Sequence, residues 1–360
     1  MHVTLVSGIN PSGPQVGGTR SYVLGLAERL PTRDVSVSLV ARDGGTSPVP
    51  GIDYLPIRSG PSSVQFLVRL FMSAPSLAIP RDSIIHVQRP DDLVAFSFAK
   101  RRNPTVCTLH GVPPVAIRRR KGAGYGFLYA VLERIGLCRT DRAIAVDPAT
   151  AKWYRDRYPW LAARISVVPV AVDTRRFRPM DREASRARYG VRAEHVVLFA
   201  GRLSPEKRVE ALIRAIPRVP HAELLIAGEG PEEDRLRELA GASPVRFLGA
   251  VPHEEMPHLL NAADLLVLPS EYEGLPTVVL EAFACGVPVV ATSVGGIPDL
   301  VIPGKTGWLL EDLRSLGDTL GPALASAPLL RDSCRAAAEG YSWDAVLDRI
   351  VAVYREAGAA

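Results

Sequence analysis

Short runs of apolar residues alternate with amphipathic segments along the whole chain, and glycine or proline marks many of the junctions. Short continuous apolar runs are typical of strands in a parallel sheet that is covered on both faces. In the first half of the chain such runs lie at 3–7, 35–41, 52–57, 83–88, 104–109, 143–146 and 165–169. In the second half they lie at 195–200, 224–227, 245–249 and 265–268, and one more strand is predicted between Gly286 and the glycine-rich turn at 295–296. This alternation predicts an α/β fold in both halves.

Helices are predicted where apolar positions follow a helical period or where a capping residue marks an end. The segment 21–30 has one apolar face and follows a glycine-rich loop. The segment 149–158 follows Asp147, whose carboxylate suits an N-cap. A last helix is predicted over 343–357.

Length and composition limit the class of protein. A chain of 360 residues with an apolar fraction of 47% predicts two domains with large buried cores. No apolar run reaches the length of a membrane-spanning helix. The first residues, MHVTLVSG, lack the basic and long apolar regions of a signal peptide. The four cysteines are scattered, which predicts reduced thiols in a cytoplasmic protein.

Charge is distributed unevenly between the two halves. Residues 1–172 hold 22 Lys and Arg against 11 Asp and Glu, and residues 173–360 hold 21 against 27. This asymmetry predicts that the N-terminal half meets an anionic partner. Arginine outnumbers lysine 38 to 5 along the chain. We interpret this as a compositional bias and do not predict a nucleic-acid partner.

Two glutamates lie close to one predicted helix in the second half, one just before it and one within it. The helix spans 276–285, because Pro276 suits a first helical turn and Gly286 suits the left-handed position past a helix end. Glu273 precedes the helix and Glu281 lies within it. Eight positions correspond to about 12 Å along a helix axis, too far to share a proton. The spacing suits a grip on two ends of one ligand, but it also fits an ordinary βαβ unit.

Two loops have the composition of phosphate sites. The loop 8–18 ends in Gly17 and Gly18 just before a helix, so the backbone and the first-turn N–H groups can approach an anion. The loop after the strand 195–200 carries Arg202 and Lys207, which can bind phosphate as a planar fork and as a point charge. The alternatives are a flexible turn and a surface helix with incidental cations.

His110 directly follows the predicted strand 104–109. A side chain at the carboxyl end of a parallel strand faces the crevice where ligands of open α/β sheets bind. The residue is therefore a candidate ligand contact, and a purely structural histidine is the alternative.

A basic run beside an apolar segment distinguishes residues 112–138. Residues 118–121 read RRRK, and the segment that follows contains Phe127, Leu128, Val131, Leu132 and Ile135. This combination is typical of an interfacial membrane element. A solvated loop followed by a core helix is the alternative.

The motifs of the second half closely resemble those of the family-4 retaining glycosyltransferases. They are EGLP at 273–276, EAFACGVPVVAT at 281–292, GG at 295–296 and GKTG at 304–307. The pattern Glu, seven residues, Glu is the signature of that family. The resemblance covers nearly the whole chain and is strongest over 195–310.

The resemblance implies the GT-B fold, in which two Rossmann-like β/α/β domains face a central cleft. It implies an acceptor domain over 1–172, a donor domain over 173–340, and a terminal helix over 341–360 that returns to the first domain. The chain departs from the family at the segment between the domains. Val170 and Ala171 replace the usual Asn-Gly there.

The resemblance also implies the roles of the candidate residues in binding a UDP- or GDP-sugar. Arg202 and Lys207 would neutralise the pyrophosphate leaving group, and Glu281 would accept hydrogen bonds from the ribose. Glu273 would hold the transferred sugar, and His110 would hydrogen-bond it. The remaining substrate contacts would come from Gly17, Gly18, Gly274, Leu275 and Pro276. No Asp-x-Asp occurs in the chain, so a retaining transfer without metal ion or resident cofactor is expected.

The acceptor is expected to be a lipid-linked or cell-envelope glycan, reached by docking of the N-terminal domain on the anionic inner face of the cell membrane. A soluble small-molecule acceptor is the alternative. Two other classes of function compete. A GT-B-fold sugar-nucleotide epimerase would need acid and base residues across the cleft, where only His110 is a clear candidate. A non-catalytic sugar-nucleotide binding protein would not need intact Glu273 and Lys207.

Overall fold

The computed structural model describes residues 1–11, 18–45, 47, 49–97, 103–112 and 123–359. The chain divides into two compact units. Unit 1 comprises Met1–Val170 and Val346–Ala360, and unit 2 comprises Ala171–Ala345.

Unit 1 is built on a seven-stranded parallel sheet. Its strands are β1 (His2–Val6), β2 (Ser36–Arg42), β3 (Asp53–Ile57), β4 (Ile84–Val87), β5 (Thr105–Leu109), β6 (Arg142–Ala145) and β7 (Ile165–Val167). The order across the sheet is β3-β2-β1-β4-β5-β6-β7, so the strand order reverses between β1 and β4. All seven predicted strands of the first half are confirmed, with ends that shift by one or two residues.

Helices connect these strands. They are α1 (Gly18–Arg29), α2 (Ser63–Ser73), α3 (Val94–Ser97), α4 (Ala123–Leu137) and α5 (Pro148–Arg157). The N-cap predicted at Asp147 is confirmed, because its Oδ1 accepts a hydrogen bond from the N–H of Thr150 at 2.6 Å.

One buried cluster joins the sheet of unit 1 to four of its helices, α2, α3, α4 and α5. Among its members are Val6, Val40, Val87, Phe66, Leu70, Leu137 and Tyr154. The helices bury the apolar residues of the short strands, which therefore form the core of unit 1.

Glu133 of α4 is a fully buried carboxyl group in unit 1. The hydroxyls of Tyr154 and Tyr158 donate hydrogen bonds to its two oxygens at 2.7 and 2.9 Å. Burial raises the pKa of Glu133 to about 7, although the two hydrogen bonds oppose the shift. The carboxyl group thus ties α4 to α5 and to the residue that follows α5.

Unit 2 is built on a six-stranded parallel sheet. Its strands are β8 (His195–Ala200), β9 (Ala222–Ala227), β10 (Val245–Gly249), β11 (Leu265–Leu268), β12 (Val289–Thr292) and β13 (Gly307–Leu310). The order is β10-β9-β8-β11-β12-β13, so the reversal falls between β8 and β11. Two parallel sheets of this kind confirm the predicted pair of Rossmann-like domains.

The helices of unit 2 are α6 (Arg182–Arg188), α7 (Val209–Ala215), α8 (Glu233–Ala240), α9 (Met256–Ala262), α10 (Thr277–Ala284), α11 (Ile297–Leu300) and α12 (Leu316–Glu339). A final helix, α13 (Trp343–Gly358), begins in unit 2 and continues into unit 1. In the part of the chain that the structure describes, none of the helices combines the length and apolarity needed to cross a membrane.

The helix that contains Glu281 and follows Glu273 is shorter than predicted. Pro276 is extended and serves as the N-cap of α10, so the helix begins at Thr277. It ends at Ala284, and Gly286 has a φ of +73°, as predicted for the residue past the helix end.

Candidate active site

The carboxyl ends of the strands of unit 2 carry loops that interlock through their backbones. The N–H of Leu203, after β8, donates to the carbonyl of Glu229, after β9, at 3.0 Å. A Cβ on Gly228 would lie 1.9 Å from the carbonyl oxygen of Gly201, so only glycine permits this approach. In open α/β sheets, this edge next to the strand-order reversal is where ligands bind.

The loops after β8 and β11, which lie on either side of the reversal, are joined by three contacts. The N–H of Glu271 donates to the carbonyl of Glu206 at 2.7 Å, and Arg208 pairs with the Glu271 carboxylate at 3.2 Å. The Nζ of Lys207 donates to Oε1 of Glu273 at 2.6 Å. Two of the predicted site residues, 66 positions apart, therefore form one ion pair.

Glu273 is buried and is held from several sides. The Ser270 hydroxyl donates to the same Oε1 at 2.6 Å. The Thr292 hydroxyl donates in turn to the carbonyl of Ser270, which links this loop to the end of β12. Ser270 is not among the residues predicted for the site, although its place just after β11 is a signal that could have identified it.

The glycine pair after β12 supports the backbone of Glu273. Gly295 has a φ of +56°, and a Cβ there would lie 1.9 Å from the carbonyl oxygen of Glu273. The N–H of Gly296 donates to the carbonyl of Gly274 at 3.0 Å. The GG motif is therefore a packing surface for the EGLP loop.

Glu281 lies in α10 and faces a histidine that the sequence analysis missed. The Nε2 of His253, in the loop after β10, lies 3.2 Å from Oε1 of Glu281. The His253 ring also packs against Phe177 with a centroid distance of 5.2 Å. Hydropathy periodicity gives no signal for such a residue, because it lies in an irregular loop.

The other predicted donor-site residues also lie at this edge of unit 2. Arg202 is exposed two residues past the end of β8. Gly274, Leu275 and Pro276 are partly buried between Glu273 and the start of α10.

In unit 1, His110 follows β5 and contacts residues of two other elements. Its Nε2 lies 2.9 Å from Oε1 of Gln88, after β4, and its ring lies edge-on to Tyr22 of α1 at 5.4 Å. Burial lowers the pKa of His110 to about 4, so the ring is neutral at pH 7. Because an amide oxygen only accepts, Nε2 carries the proton and Nδ1 is left as an acceptor.

Gln88 continues the network into the core of unit 1. Its Nε2 lies 3.4 Å from Nε2 of His86, which also contacts the Thr108 hydroxyl at 2.7 Å. The other ring nitrogen of His86 lies 2.7 Å from the hydroxyl of Tyr354, in α13. Burial lowers the pKa of His86 to about 3, so its ring is neutral at pH 7. Neutral side chains therefore link His110, through Gln88, to the core of unit 1.

Two of the sequence predictions fall partly or wholly on residues that the structure does not describe. Gly18 is the first residue of α1, and Gly17 lies outside the described residues. The basic run 118–121 also lies outside them.

Two family models match the chain, one in each half. Residues 16–176 match the model described as Glycosyltransferase Family 4. Residues 181–328 match the model described as Glycosyl transferases group 1. Together the two matches cover every strand of the two sheets described above except β1, which precedes residue 16.

Two curated relatives align with the chain, one over nearly its whole length and one over about half of it. The chain is 30% identical to the D-inositol 3-phosphate glycosyltransferase of Geodermatophilus obscurus over 388 aligned positions, which cover 96% of this chain and 86% of that protein. It is 37% identical to the enzyme of the same name from Mycobacteroides abscessus over 210 positions. That second alignment covers 54% of this chain and about half, 47%, of the relative.

Solved structures of the same fold extend over almost the whole chain. Sucrose-phosphate synthase from Thermosynechococcus elongatus superimposes with a TM-score of 0.86 at 24% identity and covers 99% of both chains. Anabaena Alr3699/HepE, solved in complex with UDP-glucose, superimposes with a TM-score of 0.79 at 20% identity and the same coverage. These similarities confirm the predicted GT-B fold.

The contact between Gly295 and the Glu273 backbone generates a stability prediction. Gly295→Ala adds a methyl group where no space exists, and overpacking of this kind costs about 1–3 kcal/mol beyond the cost of the left-handed backbone. Gly304→Ala is the matched control, because Gly304 has a φ of +73° and nothing within 4 Å of its Cβ position. The control should lose only the roughly 1–2 kcal/mol of left-handed strain. Urea unfolding of both variants measures the difference, and equal losses would contradict the packing role.

Proposed function

Because the chain belongs to family 4 of the glycosyltransferases, we propose that it moves a sugar from a nucleotide-diphosphate sugar to an acceptor with retention of anomeric configuration and without a metal ion. The observation that carries the proposal is the ion pair between Lys207 and Glu273 at the strand-order reversal of unit 2. A uridine donor is favoured by the UDP-glucose complex of a protein with the same fold. GDP-sugar is the other donor that we expect.

In this proposal, unit 2 stabilises the leaving group. When the bond between the anomeric carbon and the phosphate oxygen breaks, its electron pair goes to the phosphate, and the nucleoside diphosphate gains negative charge. Lys207 is fixed by Glu273 at 2.6 Å, so its ammonium needs no reorientation as that charge develops. Arg202 adds an exposed guanidinium. The acceptor oxygen attacks the face that the phosphate leaves, and its proton passes to the departing phosphate oxygen.

The two glutamates divide the donor between them. Glu281 accepts hydrogen bonds from the ribose hydroxyls, and His253 at 3.2 Å holds its carboxylate in place. Glu273 faces the transferred sugar, with Gly274, Leu275 and Pro276 in the same loop. His110 contributes its free Nδ1 acceptor to a hydroxyl of the transferred sugar, and Gly17 and Gly18 approach the donor phosphates.

For the acceptor, we propose a lipid-linked or cell-envelope glycan at an anionic membrane surface. The support is a set of exposed large apolar side chains on two helices of unit 1. On α2 they are Val64, Val68, Phe71 and Met72, and on α4 they are Tyr125, Phe127, Leu128, Val131 and Ile135. The exposed charges on these helices are Arg69 and Arg134, because the acidic residue of α4, Glu133, is buried.

A soluble phosphorylated polyol is the second candidate acceptor. It is favoured by the relatives, which are named for action on D-inositol 3-phosphate. The apolar helices and the relatives thus point to different acceptors for the same transfer. An epimerase or a non-catalytic binding protein is distinguished from both by an assay of the donor alone, because a transferase slowly releases free sugar when no acceptor is present.

The proposed leaving-group role predicts a large effect of Lys207→Ala. By analogy with the loss of one oxyanion donor, turnover should fall on the order of 10²–10³-fold, and Arg202→Ala should behave similarly. Release of free sugar from the donor measures turnover. Lys305→Ala is the control, since Lys305 is exposed and belongs to the same unit. Near wild-type turnover in both site variants would remove the phosphate assignment.

The division of roles between the glutamates predicts that their Gln variants differ in affinity for the nucleoside diphosphate. Glu281→Gln should weaken the binding of the nucleoside diphosphate, because its proposed partner is the ribose. Glu273→Gln should lower turnover and weaken that affinity less, because its proposed partner is the sugar and the glutamine oxygen can still accept a hydrogen bond from Lys207. A thermal-shift screen of UDP, GDP, ADP and dTDP identifies the nucleotide that binds. Isothermal calorimetry then measures its affinity for each variant. If Glu273→Gln weakens nucleotide binding as much as Glu281→Gln does, the division is wrong.

The membrane proposal predicts binding to anionic liposomes that weakens with salt. Each cation near such a surface contributes about 1 kcal/mol, so changing residues 118–121 to Ser should release the protein. A double variant, Phe127→Ser with Leu128→Ser, tests the apolar component. Leu329→Ser is its control, because Leu329 is 81% exposed in unit 2. Co-sedimentation that is equal for all variants, or indifferent to lipid charge, would contradict membrane docking and leave the transferase assignment intact.

A further inference from the structure

Two arginines lie side by side at the carboxyl edge of unit 1, where the strand order reverses. Val6 of β1 pairs with Val40 on one side and with Val87 on the other. Arg42 and Arg89 each lie two positions beyond those partners, and Arg89 is still extended. Strands are spaced about 4.8 Å apart, which places the two Cα atoms roughly 10 Å apart across β1. Both side chains can therefore reach one small ligand above β1.

Arg89 has a carboxylate partner, whereas among the described residues Arg42 has none. Arg89 donates two hydrogen bonds to the Asp91 carboxylate, at 3.0 and 2.5 Å, and lies over the Tyr129 ring at 5.7 Å. Arg42 lies over the Phe66 ring at 5.9 Å. Within the described part of the chain, no carboxylate forms an ion pair with Arg42, and its buried Nε has no hydrogen-bond partner.

Asp92 lies close to these arginines but does not neutralise Arg42. It is 2% exposed, and within the described residues its Oδ2 has no hydrogen-bond partner. Burial, and then the charge of Asp91, raise the pKa of Asp92 above its ordinary value, which favours the protonated carboxyl group. Among the described residues, Asp91 is the one carboxylate of the set 42, 89, 91 and 92 that forms an ion pair, and its partner is Arg89.

The orphaned atoms indicate a missing partner. A buried polar atom without a hydrogen bond costs free energy, and an unpaired charge that is partly buried costs more. A ligand that accepts hydrogen bonds from a guanidinium and carries negative charge would satisfy both requirements. Gly8, just past β1, packs closely against the Phe66 ring, because a Cβ there would lie 3.0 Å from it.

We propose that Arg42, together with Arg89 and Asp92, binds a phosphate group of the acceptor. The inference rests on the proposed transfer function, because it assigns this edge of unit 1 to the acceptor. A guanidinium fork matches two phosphate oxygens, and a protonated carboxyl group can donate to a third. The phosphate belongs either to a free phosphate ester or to a lipid headgroup, since both present the same oxygens.

The test compares Arg42→Gln with Arg58→Gln. Arg58 follows β3 in the same unit and is 94% exposed, so both variants lose one charge but only one loses the site. Glycerol 3-phosphate, with glycerol as its control, probes a free ester. Phosphatidylglycerol vesicles, with phosphatidylcholine as their control, probe a headgroup. Saturating nucleoside diphosphate keeps both probes away from Lys207.

Arg42→Gln should weaken binding of at least one phosphate probe tenfold or more, and Arg58→Gln should change it less than twofold. Arg42→Lys keeps the charge but not the fork, and it should be intermediate. Unchanged nucleotide affinity shows that each variant is folded. The probe that depends on Arg42 identifies the source of the phosphate. Equal binding of the phosphate probes by both Gln variants, or no binding of either probe to the wild type, would overturn the inference. A wild-type protein that binds no nucleotide would overturn the proposed function instead.

Discussion

The salt bridge between Lys207 and Glu273 depends on the order of the strands in unit 2. Only because β8 and β11 are neighbours do the loops that follow them meet, although 66 residues separate the two side chains along the chain. The glycine at 295 then fixes the backbone of Glu273 from the side of β12. A charged pair that is largely removed from water is stable when its remaining hydrogen bonds are made, and Ser270 supplies one of them.

Much of the fold could be predicted from the sequence because its signals are local. Continuous apolar runs located twelve of the thirteen strands that the structure describes, and the cap at Asp147 and the left-handed Gly286 follow from the properties of single residues. The strand β13 escaped prediction, because Gly307–Leu310 is short and follows a glycine-rich turn. The start of α10 was misplaced by one residue, because Pro276 suits the N-cap as well as the first turn.

The candidate site was less accessible to sequence reasoning, because its contacts join distant loops. The motifs identified Lys207, Glu273 and Glu281 as separate residues, but not the pairing of the first two. His253 has no motif of its own, and its contact with Glu281 arises because the loop after β10 lies against α10. The network from His110 through Gln88 to His86 likewise depends on β4 and β5 being neighbours.

The buried Glu133 couples protonation to the folding of unit 1. A glutamate in the unfolded chain titrates near 4.3, whereas in the folded unit its pKa is about 7. Between these values the folded state retains a proton that the unfolded state has released, so this residue makes unfolding easier as the pH rises through that window. The contribution of Glu133 to the stability of unit 1 is therefore largest below the unfolded pKa and is lost as the pH rises through the folded pKa. The helix α4 thus carries both a group that makes the stability of unit 1 depend on pH and the apolar side chains that are exposed to solvent.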